Sequence, residues 1–209
     1  MNSEEQKPGL AISLADYGQV LYWKLSDHKM LLVALNVVGV LLIGGAFAMF
    51  AAWARLWHSG NLSTAMTTWQ MMGIWVGIAL TIVLHELTHG LALRSYGARP
   101  KYGVMWKEMM FYATAPGHAF RRNAYLVIAL APLVGLSVLG LILLALPLPG
   151  WLLWIIIFCA SLNAGSAIGD LWLVRVALGY PPVALIVDEK DGLRVFMPVT
   201  KTQMPSTPG

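Results

Sequence analysis

Residues 81–90 read Thr-Ile-Val-Leu-His-Glu-Leu-Thr-His-Gly and close an apolar run that begins at Met71. The two histidines, His85 and His89, are four residues apart, so on a helix they lie one turn apart on the same face. Their imidazoles can then bind one metal ion together. The run and the motif are together long enough to cross a bilayer, where ionisable residues are costly and most often functional. This stretch predicts a membrane helix that carries a metal site.

The residue after the first histidine is Glu86, whose carboxylate would lie beside such a metal. His-Glu-x-x-His on a helix is typical of zinc hydrolases, in which the glutamate takes a proton from a water molecule. A single histidine on an apolar helix is usually a packed core residue. Three ionisable residues within five positions of a membrane helix instead favour a metal site. We expect His85 and His89 to bind zinc and Glu86 to act as the general base.

The composition indicates an integral membrane protein. The chain of 209 residues is 58% hydrophobic and 11% charged, whereas soluble globular proteins carry about 25% charged residues. The mean hydropathy is +0.67. This length suits one compact helical domain. The single cysteine, Cys159, excludes an internal disulfide.

Four apolar runs reach the roughly 20 residues that a spanning helix needs. They cover residues 30–53, 69–93, 124–146 and 151 to about 173. Tryptophans near the ends of these runs fit the aromatic belts at membrane surfaces. The connection between the third and fourth runs is short, so these two helices should be antiparallel neighbours.

The basic residues predict the orientation in the membrane. Of the 14 lysines and arginines, only Arg55 lies between the first and second spans, and none lies between the third and fourth. The other basic residues lie before the first span, between the second and third, or after the fourth. By the positive-inside rule both termini are cytoplasmic. The formal net charge of +4 therefore needs no nucleic-acid partner to explain it.

Two cytoplasmic segments show the pattern of β-hairpins. Residues 101–106 and 109–113, between the second and third spans, favour strands. After the fourth span, residues 182–187 and 193–199 flank an acidic turn that ends in Gly192. The predicted fold class is an all-α membrane protein of four transmembrane helices with two small cytoplasmic β-hairpin elements.

The predicted organisation has three parts. Residues 1–29 form a cytoplasmic N-terminal segment, in which residues 10–25 are predicted to form an interfacial helix. The four-span membrane domain with the zinc site covers residues 30–175, including a cytoplasmic loop over 94–123. Residues 176–209 form a cytoplasmic C-terminal hairpin and tail. The polar ends, 1–8 and 201–209, are predicted to be disordered.

A catalytic zinc site needs a third protein ligand. Of the ten acidic residues, only Glu86 and Asp170 lie within predicted spans. His89 lies five residues before Arg94, and Asp170 lies five residues before Arg175. At about 1.5 Å per residue, the histidine and the aspartate lie at a similar depth. A carboxylate alone in lipid is unfavourable, so we expect Asp170 to be the third ligand.

Two further residues are candidates near this site. Asn163 precedes Asp170 by seven residues, about two helical turns, and shares its face. Its amide would hydrogen-bond either the substrate or its developing oxyanion, or else a neighbouring helix. Glu108, nineteen residues after His89, is the alternative third ligand, because some soluble zincins take a glutamate at about that distance.

The motifs together resemble the site-2 protease type of membrane-embedded zinc metalloprotease. The similarity is closer to a little-characterised bacterial group of zincin membrane peptidases, and it covers about residues 82–196. The shared motifs are His-Glu-Leu-x-His-Gly, Thr114-Ala-Pro-Gly117, Ala131-Pro-Leu133, Asn163 and Gly169-Asp170. Site-2 proteases usually have a glycine after the aspartate and prolines between the asparagine and the aspartate. Here Leu171 follows Asp170, and no proline intervenes.

This resemblance implies both a site and a location. It makes His85, His89 and Asp170 the zinc ligands, Glu86 the general base and Asn163 an assisting residue. The implied activity is hydrolysis of peptide bonds in membrane-bound or juxtamembrane substrates near the cytoplasmic face. The implied location is the inner membrane of a bacterium. The expected partners are the lipid bilayer and a membrane protein or peptide substrate.

Two other functions are compatible with the sequence. One is a catalytically silent zinc-binding membrane scaffold protein, which would hold zinc without turnover. The other is a haem- or quinone-binding bundle. Haem held by two histidines generally takes them from different helices, whereas His85 and His89 share one. The sequence identifies neither the substrate nor the oligomeric state.

Overall fold

Four apolar helices dominate the described residues, which are 14–58, 66–106 and 110–199 of this computed structural model. They are α1 (Lys29–Trp57), α2 (Thr68–Ser95), α3 (Arg122–Leu144) and a fourth helix over Gly150–Leu178. Each is long and apolar enough to cross a membrane. The four predicted spans are therefore confirmed as helices of membrane length, and their ends differ from the predicted ones by a few residues.

Helix α2, which carries the two histidines, has well-defined ends. Thr67 caps its N-terminus: the Gln70 N–H donates to the Thr67 hydroxyl (3.4 Å), and the Thr67 N–H donates to the Gln70 side chain (2.8 Å). This reciprocal pair is a capping box. The chain leaves the helix at Gly97, whose φ of 82° lies in the left-handed region that favours glycine. These end signals fix the extent of the helix and so the position of its histidines.

The fourth helix is broken at Ala167 into α4 (Gly150–Ser166) and α5 (Ile168–Leu178). The break lies in a run of small residues, which allow close approach of backbones. A Cβ atom on Gly165 would lie 2.8 Å from the carbonyl oxygen of Gly39 in α1 and would clash with Ile43. Asp170 follows this close contact, in the first turn of α5.

Among the residues that the structure describes, six strands lie outside the helices. Strands β2 (Lys101–Met105) and β3 (Met110–Thr114) form an antiparallel hairpin, as predicted. Strands β5 (Leu185–Glu189) and β6 (Gly192–Pro198) form the second predicted hairpin. This second hairpin belongs to a larger antiparallel sheet, in which β1 (Tyr17–Lys24) and β4 (Ala119–Arg121) flank it in the order β1-β6-β5-β4.

The interfacial helix predicted over residues 10–25 is wrong wherever the structure describes those residues. Tyr17–Lys24 forms strand β1, and its register places Tyr17 opposite Pro198 and Lys24 opposite Gly192. Scattered apolar residues fit a short strand as well as a helix, and here β6 offers an edge on which a strand can pair. The molecule is therefore mostly helical with two small antiparallel sheets. The polar ends at residues 1–8 and 201–209 lie outside the described residues.

Two large apolar clusters hold these layers together. One lies among the helices and includes Phe50 of α1, Leu144 of α3 and Ile157 of α4, all fully buried. The other joins the four-stranded sheet to the helices and includes Leu93 at the end of α2 and Val195 of β6. The sheet therefore packs on the end of the bundle where α2 and α5 end and α3 begins, next to the histidine motif.

Candidate metal centre

The imidazoles of His85 and His89 converge on the carboxylate of Asp170. The Nε2 atom of His85 lies 3.2 Å from Asp170 Oδ2, and the Nε2 atom of His89 lies 3.3 Å from Asp170 Oδ1. One ligand atom from each of the three residues lies within 4.8 Å of the other two. Helix α2 provides the histidines and α5 the aspartate. Two distant parts of the sequence therefore meet at one point.

A second contact orients the ring of His85. Its Nδ1 atom lies 3.0 Å from Asn163 Oδ1 of α4. The Asn163 amide nitrogen donates to the carbonyl oxygen of Pro132 in α3 (3.2 Å), so the amide oxygen faces the imidazole as an acceptor. The proton of a neutral His85 ring then lies on Nδ1, and Nε2 is free to bind a cation.

His89 is oriented in the same way by a backbone group. Its Nδ1–H donates to the carbonyl oxygen of Ile128 in α3 at 3.1 Å. The Nε2 atom again faces Asp170. Metal-binding histidines commonly use their second nitrogen in this manner, because the contact fixes both the tautomer and the plane of the ring. Both predicted ligands thus show the orientation that a metal site requires.

Asn163 is buried, with 1% of its surface exposed. Both ends of its amide are engaged, by His85 and by the Pro132 carbonyl. The sequence left two roles open for Asn163: a hydrogen bond to the substrate or to a neighbouring helix. The structure contains hydrogen bonds from Asn163 to two neighbouring helices. Hydrogen bonding to a substrate stays a prediction.

Glu86 lies next to the three candidate ligands in a cavity of about 110 Å³ that opens between the helices and the strands. The backbone N–H of Ala113 in β3 interacts with its carboxylate. His89 and Asp170 line the same cavity, and so do several aromatic side chains: Trp23, Phe111, Tyr112, Tyr125 and Trp172. A carboxylate, a potential metal site and an apolar wall therefore share one cavity.

Sequence reasoning missed the carboxylate of Asp188, which lines this cavity together with Glu189 and Asp191. Tyr125, which is almost fully buried, donates its hydroxyl proton to Asp188 Oδ1 at 3.4 Å, and Thr114 donates to the Asp188 carbonyl at 3.2 Å. Burial raises the pKa of Asp188 to about 7. The sequence signal that could have identified Asp188 is its position at the end of the apolar strand β5. From sequence, however, this position was interpreted as part of a solvated acidic turn.

The alternative third ligand, Glu108, lies outside the described residues. Within the described ranges, the cluster of His85, His89 and Asp170 is the group of histidine, cysteine and acidic residues that could hold a metal ion. Two imidazole nitrogens and one carboxylate form a donor set typical of catalytic zinc, which keeps a further position open. The side chains present therefore fit a zinc ion.

Comparison with known protein families identifies a match. A protein-family model described as "putative zincin peptidase" matches residues 78–185, which include the two histidines, Glu86, Asn163 and Asp170. No curated protein matches the chain, and no solved structure does.

Proposed function

The chain belongs to this zincin peptidase family, and on that basis we propose that it is a membrane-embedded zinc metallopeptidase. The observation that carries the proposal is the convergence of two imidazole Nε2 atoms and the Asp170 carboxylate beside Glu86. His85, His89 and Asp170 would hold the zinc ion. When bound, zinc supplies a Lewis acid that polarises a carbonyl group and increases the acidity of a water molecule.

Glu86 acts in this proposal as the general base. Its carboxylate lines the cavity beside His89 and Asp170, within the space that a scissile peptide would occupy. It takes a proton from the attacking water and passes it to the amine that leaves. In this proposal Asn163 positions the ring of His85, a role that its burial and its two engaged amide ends support.

Strand β3 offers a route for binding an extended peptide. It pairs with β2 on one edge, and no strand pairs with its other edge among the described residues. Three of its residues, Phe111, Tyr112 and Ala113, line the cavity that contains Glu86. A peptide that adds to this edge would satisfy its backbone groups and pass close to the carboxylate. An unfolded or extended segment is therefore the form of substrate that we propose.

The proposed substrates are membrane-bound or juxtamembrane peptides. The candidate ligands lie on helices of membrane length, and the cavity opens towards the end of the bundle that carries the sheet. Basic residues are concentrated at this end, which by the positive-inside rule faces the cytoplasm. We therefore propose cleavage near the cytoplasmic face of a bacterial inner membrane.

Zinc content and peptide cleavage test this function together. The full chain, purified in detergent, should contain about one zinc ion and cleave members of a library of fluorogenic single-span peptides. Glu86→Gln should keep the zinc and lose turnover by roughly 10²–10⁴-fold. Full turnover in this variant would exclude the mechanism. Zinc without cleavage of any peptide would favour a silent zinc-binding scaffold, and a protein that binds no zinc while folded would exclude a metallopeptidase.

A further inference from the structure

Helix α3 contains a proline, Pro132, at a buried position close to the metal centre. Proline has no backbone N–H, so the carbonyl group four residues earlier in a helix loses its usual partner. In α3 that carbonyl belongs to Ile128, which is 4% exposed. A buried carbonyl needs a hydrogen-bond donor from elsewhere. The side chain of His89 provides it, at 3.1 Å.

The carbonyl of the proline itself has a second role. It accepts the amide N–H of Asn163 at 3.2 Å, and the oxygen of that amide accepts the Nδ1–H of His85 at 3.0 Å. The same turn of α3 thus contacts both histidines on the side opposite to Asp170. One contact is direct, from the Ile128 carbonyl, and the other passes through Asn163.

We infer that Pro132 is a positioning residue for the metal centre: it leaves the Ile128 carbonyl free for His89 and presents its own carbonyl to the Asn163 amide that orients His85. This inference rests on the proposed zinc site and adds a residue that does not itself bind the metal. Ordinary helical bonding through residue 132 would place a competing donor on the Ile128 carbonyl. The imidazole of His89 would then lose a well-aligned acceptor.

Pro132→Ala tests the inference, because alanine restores the N–H with little other change. Outer contacts of this kind typically contribute roughly 10–100-fold to metal affinity, so we expect zinc to bind about tenfold or more weakly. The measurement is the dissociation constant of zinc for the detergent-purified full chain, obtained by competition with a coloured chelator. NMR of the zinc-loaded, ¹⁵N-histidine protein gives a second readout, since the Nδ1–H of His89 should exchange faster with water.

Gly135→Ala is the matched control. It also raises helix propensity in α3, and its new Cβ atom would meet only an ordinary contact, 3.9 Å from a methyl carbon of Thr88. We expect it to bind zinc as the wild type does. Thermal unfolding of metal-free Pro132→Ala shows whether any loss of zinc affinity comes from a less stable fold. Alanine is a better helix former than proline, so the substitution should not lower the melting temperature.

The possible results distinguish a failure of this inference from a failure of the proposed function. Weaker zinc binding and faster Nδ1–H exchange in Pro132→Ala alone, with no loss of thermal stability, would support it. Wild-type affinity in Pro132→Ala would overturn it while leaving the metallopeptidase intact. Weaker binding with unchanged Nδ1–H exchange, or equal weakening by Gly135→Ala, would also overturn it. A wild-type chain that binds no zinc would remove the proposed function and this inference with it.

Discussion

Asp170 is the side chain that joins the two halves of the metal centre. One carboxylate oxygen lies 3.2 Å from the Nε2 atom of His85, and the other lies 3.3 Å from the Nε2 atom of His89. Asp170→Ala should therefore weaken zinc binding more than the roughly 100-fold that an outer contact contributes. Metal analysis and chelator competition measure this loss. Glu189→Gln is a suitable control, because Glu189 lines the same cavity but pairs with Arg194. Undiminished zinc in Asp170→Ala would make Glu108 the next candidate.

Asp188 should make the stability of the metal-free protein depend on pH. Burial raises its folded-state pKa to about 7, an effect to which Asp170 adds and which Thr114, His89 and Tyr125 oppose. In the unfolded chain the carboxyl group titrates near about 3.9. Between these values the folded state holds a proton that the unfolded chain has released. Stability therefore falls as the pH rises from about 4 to about 7.

Asp188→Asn should remove this dependence. At pH 8 the variant should unfold at a higher melting temperature than the wild type, by up to roughly 8–16 °C. A pKa raised from about 3.9 to about 7 corresponds to about 4 kcal/mol, and each kcal/mol to about 2–4 °C in a chain of this length. At pH 4 the two proteins should unfold alike. Thermal scans of metal-free protein at both pH values measure the difference. A variant that is less stable than the wild type at pH 8 would contradict a raised pKa for the Asp188 carboxyl group.

The candidate metal ligands, His85, His89 and Asp170, could be found from sequence because each is an ionisable residue among apolar ones. His89 and Asp170 are each five residues before an arginine, Arg94 and Arg175, which predicts a similar depth for these two. Asp188 could not be found in this way, since an acidic residue in a turn is ordinary. Its burial depends on the packing of β5 against α3, which no local pattern records.

The close packing of α1 against α4 at Gly165 can be tested by substitution. A side chain there would meet the Gly39 carbonyl and Ile43 of α1, so Gly165→Val should force α1 and α4 apart. Overpacking of this kind costs about 1–3 kcal/mol. We expect a lower melting temperature in detergent, together with weaker zinc binding, because α5 follows directly and carries Asp170.

The control for this change is Gly44→Ala in α1. A Cβ atom at Gly44 has nothing within 4 Å, so alanine should be tolerated there and should raise helix propensity. If Gly165→Val were as stable as Gly44→Ala, the close approach of α1 and α4 would not contribute to the stability of the bundle.

The membrane helices could be predicted from sequence more reliably than the strands, because a helix and a strand satisfy their backbone hydrogen bonds differently. A membrane helix satisfies its own backbone hydrogen bonds, so a run of apolar residues is enough to identify it. A strand depends on a partner. Strand β1 pairs with β6, which lies near the other end of the chain, and its scattered apolar residues indicated an interfacial helix instead. The β2–β3 and β5–β6 hairpins were predictable because each partner is close in sequence.

The whole molecule combines a helical bundle with a sheet packed on one end. Its orientation in the membrane determines from which side a substrate reaches the cavity. The sheet joins strands from both ends of the chain, so both must lie on the same side of the membrane. From the distribution of basic residues we propose that this side is the cytoplasm. The short turn between α3 and α4 then faces outwards. The exposed residues Lys190, at the cavity, and Pro147, in this turn, report on the two sides.

Single cysteines at these two positions test the orientation. In a Cys159→Ser background, which removes the chain's only cysteine, Pro147→Cys should react with a membrane-impermeant maleimide in intact spheroplasts. Lys190→Cys should react only after the cells are lysed. The unmodified Cys159→Ser chain controls for background labelling. The opposite pattern would place the sheet and the cavity on the outer side. Substrates would then have to approach the Glu86 carboxylate from the periplasm, and cleavage near the cytoplasmic face would be excluded even if the zinc site were correct.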